Sequence, residues 1–379
     1  MDLKEIREKI NTIDEELVKL FIKRMELSKE VAEYKAEHKL PILNKARERE
    51  IISRVCEASP EELEIYTKML FTTLFEVSRS YQNTLIHNTS SLKASIIRGL
   101  EEAPKLFPLK GLVACQGIEG AYSQLACDKL FSIANIMYFK SFEGVFNAVE
   151  KGLCPFGILP IENSSYGSVK EVYDLMRHYN FHIVRSIKVN IKHCLMGKSG
   201  TKLSDIKEIY SHEQAIGQCS KFLKDRPDIK ITVCENTAMA AKLVASSDRN
   251  DIAAISSHNC AALYGLSIIS KEIQNSDNNY TRFICIAKDL MIYPGADRIS
   301  LMLSVPHEAG ALYSVISKFS SLGLNLTKLE SRPIPGSDFE FMFYFDFEAS
   351  VLRDEVVQLL NELSLESELF VFLGSYSEV

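Results

Sequence analysis

Residues 156–168 read FGILPIENSSYGS, and within them hydrophobic patterning stops and gives way to amides and hydroxyls. Phe156 to Ile161 predicts a short, buried strand, and Val169 to Tyr179 predicts an amphipathic helix with Val172, Leu175, Met176 and Tyr179 on one face. Glu162, Asn163, Ser164, Ser165 and Ser168 stand between them. A strand that ends in polar groups just before a helix start offers unpaired backbone N–H groups and the positive end of a dipole, a setting that suits an anion. Taken alone, a plain helix cap accounts for the same residues.

Moving outward, the pattern repeats. Leu112 to Gln116 leads through Gly117–Ser123 into a helix expected at Gln124 to Phe131, and Ile209 to His212 leads into one over Glu213 to Leu223. Further pairs follow at Ile231 to Thr237 and Ile252 to Asn259. Strand, polar turn and helix in repetition predict a mostly parallel sheet with ligands at the carboxyl ends of its strands.

Four ordered segments, GAYS at 120–123, PIENSSYG at 160–167, SHEQAIGQC at 211–219 and NYTRF at 279–283, resemble the signature segments of prephenate dehydratase. The resemblance implies an α/β, periplasmic-binding-protein-like domain over about 110–290. It also implies a site in which Thr281 donates to the departing hydroxyl of prephenate while Asn163, Ser164, Ser211 and Gln218 bind or orient it. Glu162 could supply the proton if burial raises its pKa. Arg282 either clamps a substrate carboxylate or pairs with an internal acid.

The chain has 379 residues, too many for one ordinary domain. It is 46% hydrophobic and 25% charged, with a net charge of −6, so no basic footprint points to nucleic acid or an anionic membrane. The opening MDLKEIREK is charged and helical, unlike a signal peptide, and no apolar run is long enough to span a bilayer, so a cytoplasmic location is expected. Nine scattered cysteines without CxxC spacing read as reduced, mostly buried thiols. His178 and His182 have helical ligand spacing, but Asn180 between them marks a helix end, which argues against a metal site. No cofactor is expected.

Residues 1–90 read as helical throughout. Ile6, Ile10, Ile13, Leu17, Leu20, Leu27, Val31 and Tyr34 alternate steps of four and three, the seam of a long packing helix. Arg24 fills the one seam position that should be apolar, which calls for an anionic partner or ligand. A second helix from Asn44 carries Arg47 and Glu48 at the edge of its apolar face, and a third from about Pro60 turns polar at Ser78 and Gln82.

This arrangement resembles the all-α chorismate mutase domain. The resemblance implies that Arg7, Arg24 and Arg47 contact the two carboxylates of chorismate, that Lys35 and Gln82 donate to its breaking ether oxygen, that Glu48 meets the ring hydroxyl and that Ser78 supports the site. Asn44 departs from the pattern, which expects an aspartate. Arg7 and Lys35 are 28 positions apart, roughly 42 Å along one helix, so a shared pocket would need Arg7 from a second copy. An obligate homodimer, or a higher homo-oligomer, follows.

Residues 91–109 are expected to form a linker, with a break at Asn88 to Ser91, a further helix over Leu92 to Glu102 and closure at Pro104 and Pro108. Residues 297–379 predict a βαββαβ order, with strands 299–305, 324–332, 339–347 and 369–374 around helices 309–322 and 351–363. The order resembles the α+β ACT regulatory domain. Gly310, Ala311 and Leu312 with Glu330, Ser331 and Arg332 resemble its phenylalanine-sensing segments, which implies feedback inhibition.

The sequence thus resembles a bifunctional chorismate mutase/prephenate dehydratase acting on chorismate and prephenate and sensing L-phenylalanine. No GxGxxG follows any candidate strand, which disfavours a nicotinamide-dependent dehydrogenase. An arogenate-preferring dehydratase and a non-catalytic amino-acid sensor are the remaining rivals.

Overall fold

The computed structural model describes residues 2–86, 91–334, 336 and 340–379. The break expected at Asn88 to Ser90 and the strand start at Phe339 lie outside the described residues. Among the described residues four α-helices come first: α1 (Leu3–Glu37), α2 (Lys45–Glu57), α3 (Glu64–Ile86) and α4 (Ser91–Glu102). Then follow β1 (Lys110–Gln116), α5 (Tyr122–Leu130), β2 (Ile133–Phe139), α6 (Phe142–Glu150), β3 (Phe156–Asn163), β4 (Gly167–Ser168), α7 (Lys170–Met176), β5 (His182–Asn190) and β6 (Cys194–Gly197). The chain continues through β7 (Glu208–Ser211), α8 (Glu213–Gln218), α9 (Ser220–Lys224), β8 (Lys230–Val233), α10 (Thr237–Ser246), β9 (Ile252–Ser256), α11 (His258–Leu263), β10 (Ser267–Ser270) and β11 (Tyr280–Ala287). The last elements are β12 (Arg298–Val305), α12 (Ala311–Ser321), β13 (Asn325–Pro333), β14 (Phe341–Glu348), α13 (Asp354–Glu366) and β15 (Phe370–Tyr376).

The chain divides into two compact units, 1–94 with 306–323 and 352–368, and 95–305 with 324–351 and 369–379. The division crosses the expected 297–379 segment, placing α12 and α13 in the first unit and its four strands in the second. Among the described residues no helix is long and apolar enough to cross a membrane.

In the first unit α1 packs on α3 through a narrow polar stripe, with Ser28 and Ala32 buried on α1 and Phe75, Ser78, Gln82 and Asn83 buried on α3. The apolar seam of α1 is not covered by this chain: Ile10, Leu17, Leu20 and Leu27 remain 49–62% exposed. Arg24 faces α3.

The second unit holds three sheets, and the expectation of one mostly parallel sheet is corrected. The first has the order β2-β1-β3-β11-β5 with β4 beside β3, and the second the order β10-β6-β9-β7-β8. Pairs β1–β2, β1–β3, β7–β8 and β7–β9 are parallel, as crossover helices require. The chain returns late to both sheets, so β11 enters between β3 and β5 antiparallel to each, and β10 pairs antiparallel with β6. Gly157 of the opening stretch lets α6 lie close on β3, since a Cβ there would sit 2.8 Å from Val145 and 2.9 Å from Val149.

The third sheet is antiparallel throughout, in the order β13-β14-β12-β15. Its Met302, Met342, Tyr344 and Leu373 share a core with Phe146 of α6 and Tyr173 and Met176 of α7. Beyond β15 the chain extends the edge of β5, with Ser186 N–H donating to Ser377 O at 3.0 Å and Val379 N–H to Ser186 O at 3.0 Å. The helix expected over 213–223 breaks at Cys219 into α8 and α9. His178 lies past the end of α7 and His182 on β5, so they share no helix.

Candidate active sites

A polar side-chain cluster forms in the first unit where α1 meets α3. Arg24 Nη1 donates to Leu74 O at 3.1 Å and also to the Ser78 hydroxyl. Lys35 Nζ donates to Ile42 O at 2.5 Å and to Gln82 Oε1 at 3.3 Å, and Gln82 Nε2 donates to Ser28 Oγ at 2.9 Å. Burial pushes the Lys35 ammonium below the usual lysine range, a shift that nearby Glu48 opposes and Arg79 reinforces. Burial likewise lowers the Arg24 guanidinium. Glu48 of α2 is ion-paired with Arg79 of α3, a cation that sequence reasoning missed although it adjoins Ser78.

Three of the anticipated mutase residues lie apart from this cluster. Arg47 turns outward to Glu50 at 2.7 Å with half its side chain exposed. Asn44 caps α2, its Oδ1 accepting from Arg47 N–H at 3.0 Å. Arg7 is exposed near the start of α1. Since α1 is a single helix from Leu3 to Glu37, Arg7 and Lys35 cannot meet within one chain.

In the second unit a cleft of about 590 Å³ lies at the carboxyl ends of β1, β3 and β7, between the first two sheets. Asn163, Gln218 and Thr281 all line it. Asn163 Oδ1 accepts from the backbone N–H groups of Ser165 and Tyr166 at 2.9 and 3.1 Å, which fixes its amide so that Nδ2 points at Thr281. That Nδ2 donates to Thr281 Oγ1 at 2.9 Å and to Asn279 Oδ1 at 3.0 Å. Thr281 Oγ1 is therefore an acceptor from the protein, and its own hydrogen is free to donate into the cleft.

Gln218 Oε1 lies 2.7 Å from His193 Nε2. Burial depresses the His193 imidazole, with the Gln218 contact working the other way, so the ring is neutral at pH 7. An Nε2–H tautomer donating to Gln218 Oε1 turns the Gln218 amide N–H groups toward the cleft. Sequence reasoning missed His193, which lines the cleft from the β5–β6 connection beside the edge of Tyr122. No motif surrounds it; only the fold brings it to Gln218.

Four expected dehydratase residues do not line the cleft. Ser211 is fully buried and donates to Ile255 O at 2.8 Å, joining β7 to β9. Ser164 Oγ donates to Asn278 O at 3.1 Å and accepts from Tyr280 N–H at 2.9 Å, tying the end of β3 to β11. Glu162 and Arg282 sit opposite each other in the β3–β11 register, one residue from Asn163 and Thr281, so the pleat sends both to the other face.

On that face Lys328 Nζ of β13 donates to Glu162 at 2.8 Å and to Ser168 Oγ at 2.7 Å. Arg282 is buried, with Asp346 of β14 at 2.6 Å, Tyr376 Oη at 2.8 Å and Glu378 at 3.1 Å. Burial alone would lower its pKa, but Tyr376, Asp346 and Glu378 hold it above the usual arginine value. Of the two readings of Arg282, the geometry favours the internal acid. Glu162 is engaged by Lys328 rather than offered to the cleft as a proton source.

Gly310 opens α12 in the left-handed region at φ +87°, a conformation glycine takes without cost, and Ala311 and Leu312 follow it in the first unit. In the second unit Ser331 is exposed, Glu330 accepts from Ser168 Oγ at 2.6 Å, and Arg332 grips Asp174 through two bonds of 2.8 and 2.7 Å.

Residues 6–83 match the family model for chorismate mutase type II, and residues 113–290 match that for prephenate dehydratase. The chain is 32% identical over 381 residues to the bifunctional chorismate mutase/prephenate dehydratase of Escherichia coli K12, covering 98% of this chain and 95% of that one. It is 38% identical to the chloroplastic arogenate dehydratase/prephenate dehydratase 2 of Arabidopsis thaliana, over 70% and 72% of the two chains. Among solved structures, a prephenate dehydratase from Arthrobacter aurescens in complex with L-Phe superposes with a TM-score of 0.65 at 28% identity, covering 70% of this chain and 89% of that one. With both catalytic regions present in the same order and nearly the full length shared, the chain belongs to the bifunctional chorismate mutase/prephenate dehydratase family, which rearranges chorismate to prephenate and converts prephenate to phenylpyruvate on the way to phenylalanine.

Proposed function

We propose that the α1–α3 cluster and the inter-sheet cleft are the two active sites, and that the observation carrying this is the fixed Asn163–Thr281 pair. In the dehydratase the ring C–carboxylate bond of prephenate breaks and its electron pair moves into the ring. The C–O bond at the opposite end breaks as carbon dioxide and hydroxide leave, and the hydroxide takes a proton to become water. Thr281, its oxygen already occupied by Asn163, donates to that departing oxygen as its charge grows, and aromatisation supplies the driving force. In the mutase no proton moves. Lys35 and Gln82 donate to the breaking ether oxygen, while Arg24 and other cations hold the carboxylates in the compact conformer.

The exposed seam of α1 and the separation of Arg7 from Lys35 support a homodimer in which each mutase pocket takes Arg7 from the partner. Mixing Arg7→Ala with Lys35→Ala protein is then expected to restore mutase activity through hybrid dimers. No recovery once subunit exchange has been shown would break this reading.

The βαββαβ order of residues 297–379 and the relative crystallised with L-Phe support an ACT-type sensor for phenylalanine, with Gly310 to Leu312 and Glu330 to Arg332 as its binding segments. Phenylalanine is expected to inhibit the dehydratase sigmoidally and to raise the melting temperature. Absence of both effects at saturation would remove the sensor. Nine free thiols and the biosynthetic role support a reducing, cytoplasmic location.

A further inference from the structure

Prephenate carries both carboxylates at one end of its ring and its hydroxyl at the other. The cleft meets this dianion with few cations: its lining contains Lys170 but no arginine, and Glu171 and Glu235 add negative charge. His193 and His212 also line it, and burial depresses both imidazoles. Something other than a guanidinium clamp must hold the acidic end.

Two helices begin side by side at the cleft. Gly120, in the turn before α5, would place a Cβ 3.7 Å from Ala238 Cβ in the first turn of α10, and φ of +91° at Gly120 makes that tight turn a glycine position. Ala121, Ala238 and Cys260 pack together beneath the pair. The start of α5 has no side-chain cap, so the N–H groups of its first turn keep their donors. At α10 the Asn236 side chain takes only the Met239 N–H, at 2.8 Å.

Each of these turns also carries a hydroxyl on the cleft wall. Ser123 is 5% exposed and Thr237 9% exposed, and among the described residues neither hydroxyl has a hydrogen-bond partner. Both residues are largely buried yet line the cleft, so each hydroxyl keeps a hydrogen to donate to a guest there. Two such groups, at neighbouring helix starts of 9 and 10 residues, point to one anionic guest.

We infer that the first turns of α5 and α10 form a neutral cradle for the carboxylate end of prephenate, with the Ser123 and Thr237 hydroxyls and the adjoining backbone N–H groups as donors. The inference rests on the cleft being the dehydratase site. With the carboxylates held there, the hydroxyl end of the ring is presented to Thr281.

The test compares KM and kcat for phenylpyruvate formation from prephenate in the full chain. Ser123→Ala and Thr237→Val are each expected to raise KM about tenfold, one hydrogen bond to a charged group, and to move kcat less than about threefold. Thr237→Ser should return KM to within about twofold of wild type, a rescue that a purely structural defect would not give. Wild-type KM for both folded variants, or a loss of kcat with KM unchanged, would overturn the cradle. Should the variants not fold, the wild-type KM still decides: neutral donors predict less than about a twofold rise with added salt, whereas a steep rise would assign the carboxylates to a cation instead. Wild-type protein that forms no phenylpyruvate would break the dehydratase reading itself, an outcome separate from failure of the cradle.

Discussion

The two proposed active sites offer closely related dicarboxylates opposite means of binding. The proposed mutase site is a helix-to-helix seam furnished with Arg24, Lys35 and Arg79, whose charges are balanced locally by Glu48 and by backbone carbonyls. The proposed dehydratase cleft sits at strand ends and helix starts, where amides, hydroxyls and neutral imidazoles predominate. The reactions explain the difference. Rearrangement of chorismate creates negative charge at one ether oxygen in mid-reaction, and a cation beside it gains strength as that charge appears. Dehydration of prephenate must release carbon dioxide from a carboxylate, and a strong cation there would stabilise the ground state and oppose the loss.

The sharpest way to break this contrast is to remove the central donor of each region. Lys35→Ala should lower mutase kcat by about 10²–10³-fold and leave dehydratase turnover intact, while Thr281→Ala should do the reverse on the same scale. Loss of both activities from either change would mean that the regions are not separate machines. Next in size is the Arg282 cluster: Asp346→Ala takes one of two carboxylates from a buried guanidinium, leaving Glu378, and should destabilise the second unit by about 3 kcal/mol, seen as an early unfolding transition. An unchanged melting profile would show that the pair contributes nothing net.

Salt gives a smaller, graded effect. Screening should raise the mutase KM severalfold between low and high ionic strength while the dehydratase KM hardly moves, and equal slopes would erase the distinction. Smallest is a pH effect. Because the folded pKa of Lys35 lies below its ordinary value, the ammonium is lost as pH rises through that lowered value, so the alkaline limb of mutase activity falls earlier than for a free lysine. Lys35→Arg should carry residual activity to higher pH, and an unmoved limb would assign the titration to another group.

Much of this was legible in the sequence because the informative residues come in local motifs. The polar end of β3, the helix start after it and the βαββαβ order of the last segment all follow from patterning over a few residues. The direction of individual side chains did not. Glu162 and Arg282 belong to the same motifs as Asn163 and Thr281, yet one step along a pleated strand turns them away from the cleft; strict alternation was the clue, and motif membership obscured it. Arg79 and His193 were missed for the opposite reason. No local pattern marks them, and they matter only because α2 reaches α3 and because the β5–β6 connection passes Gln218. The antiparallel entry of β11 was likewise hidden, since strand order depends on pairing across more than a hundred residues.

Consecutive residues on β11 serve two masters. Thr281 lines the cleft and Arg282 is clasped by Asp346, Tyr376 and Glu378 from the C-terminal part of the chain. The strand works as a gear with two toothed sides: its register against β3 and β5 sets both engagements at once, so neither can drift independently. Insertions or deletions within β11 should accordingly be the least tolerated changes in this half of the molecule, whatever their chemistry.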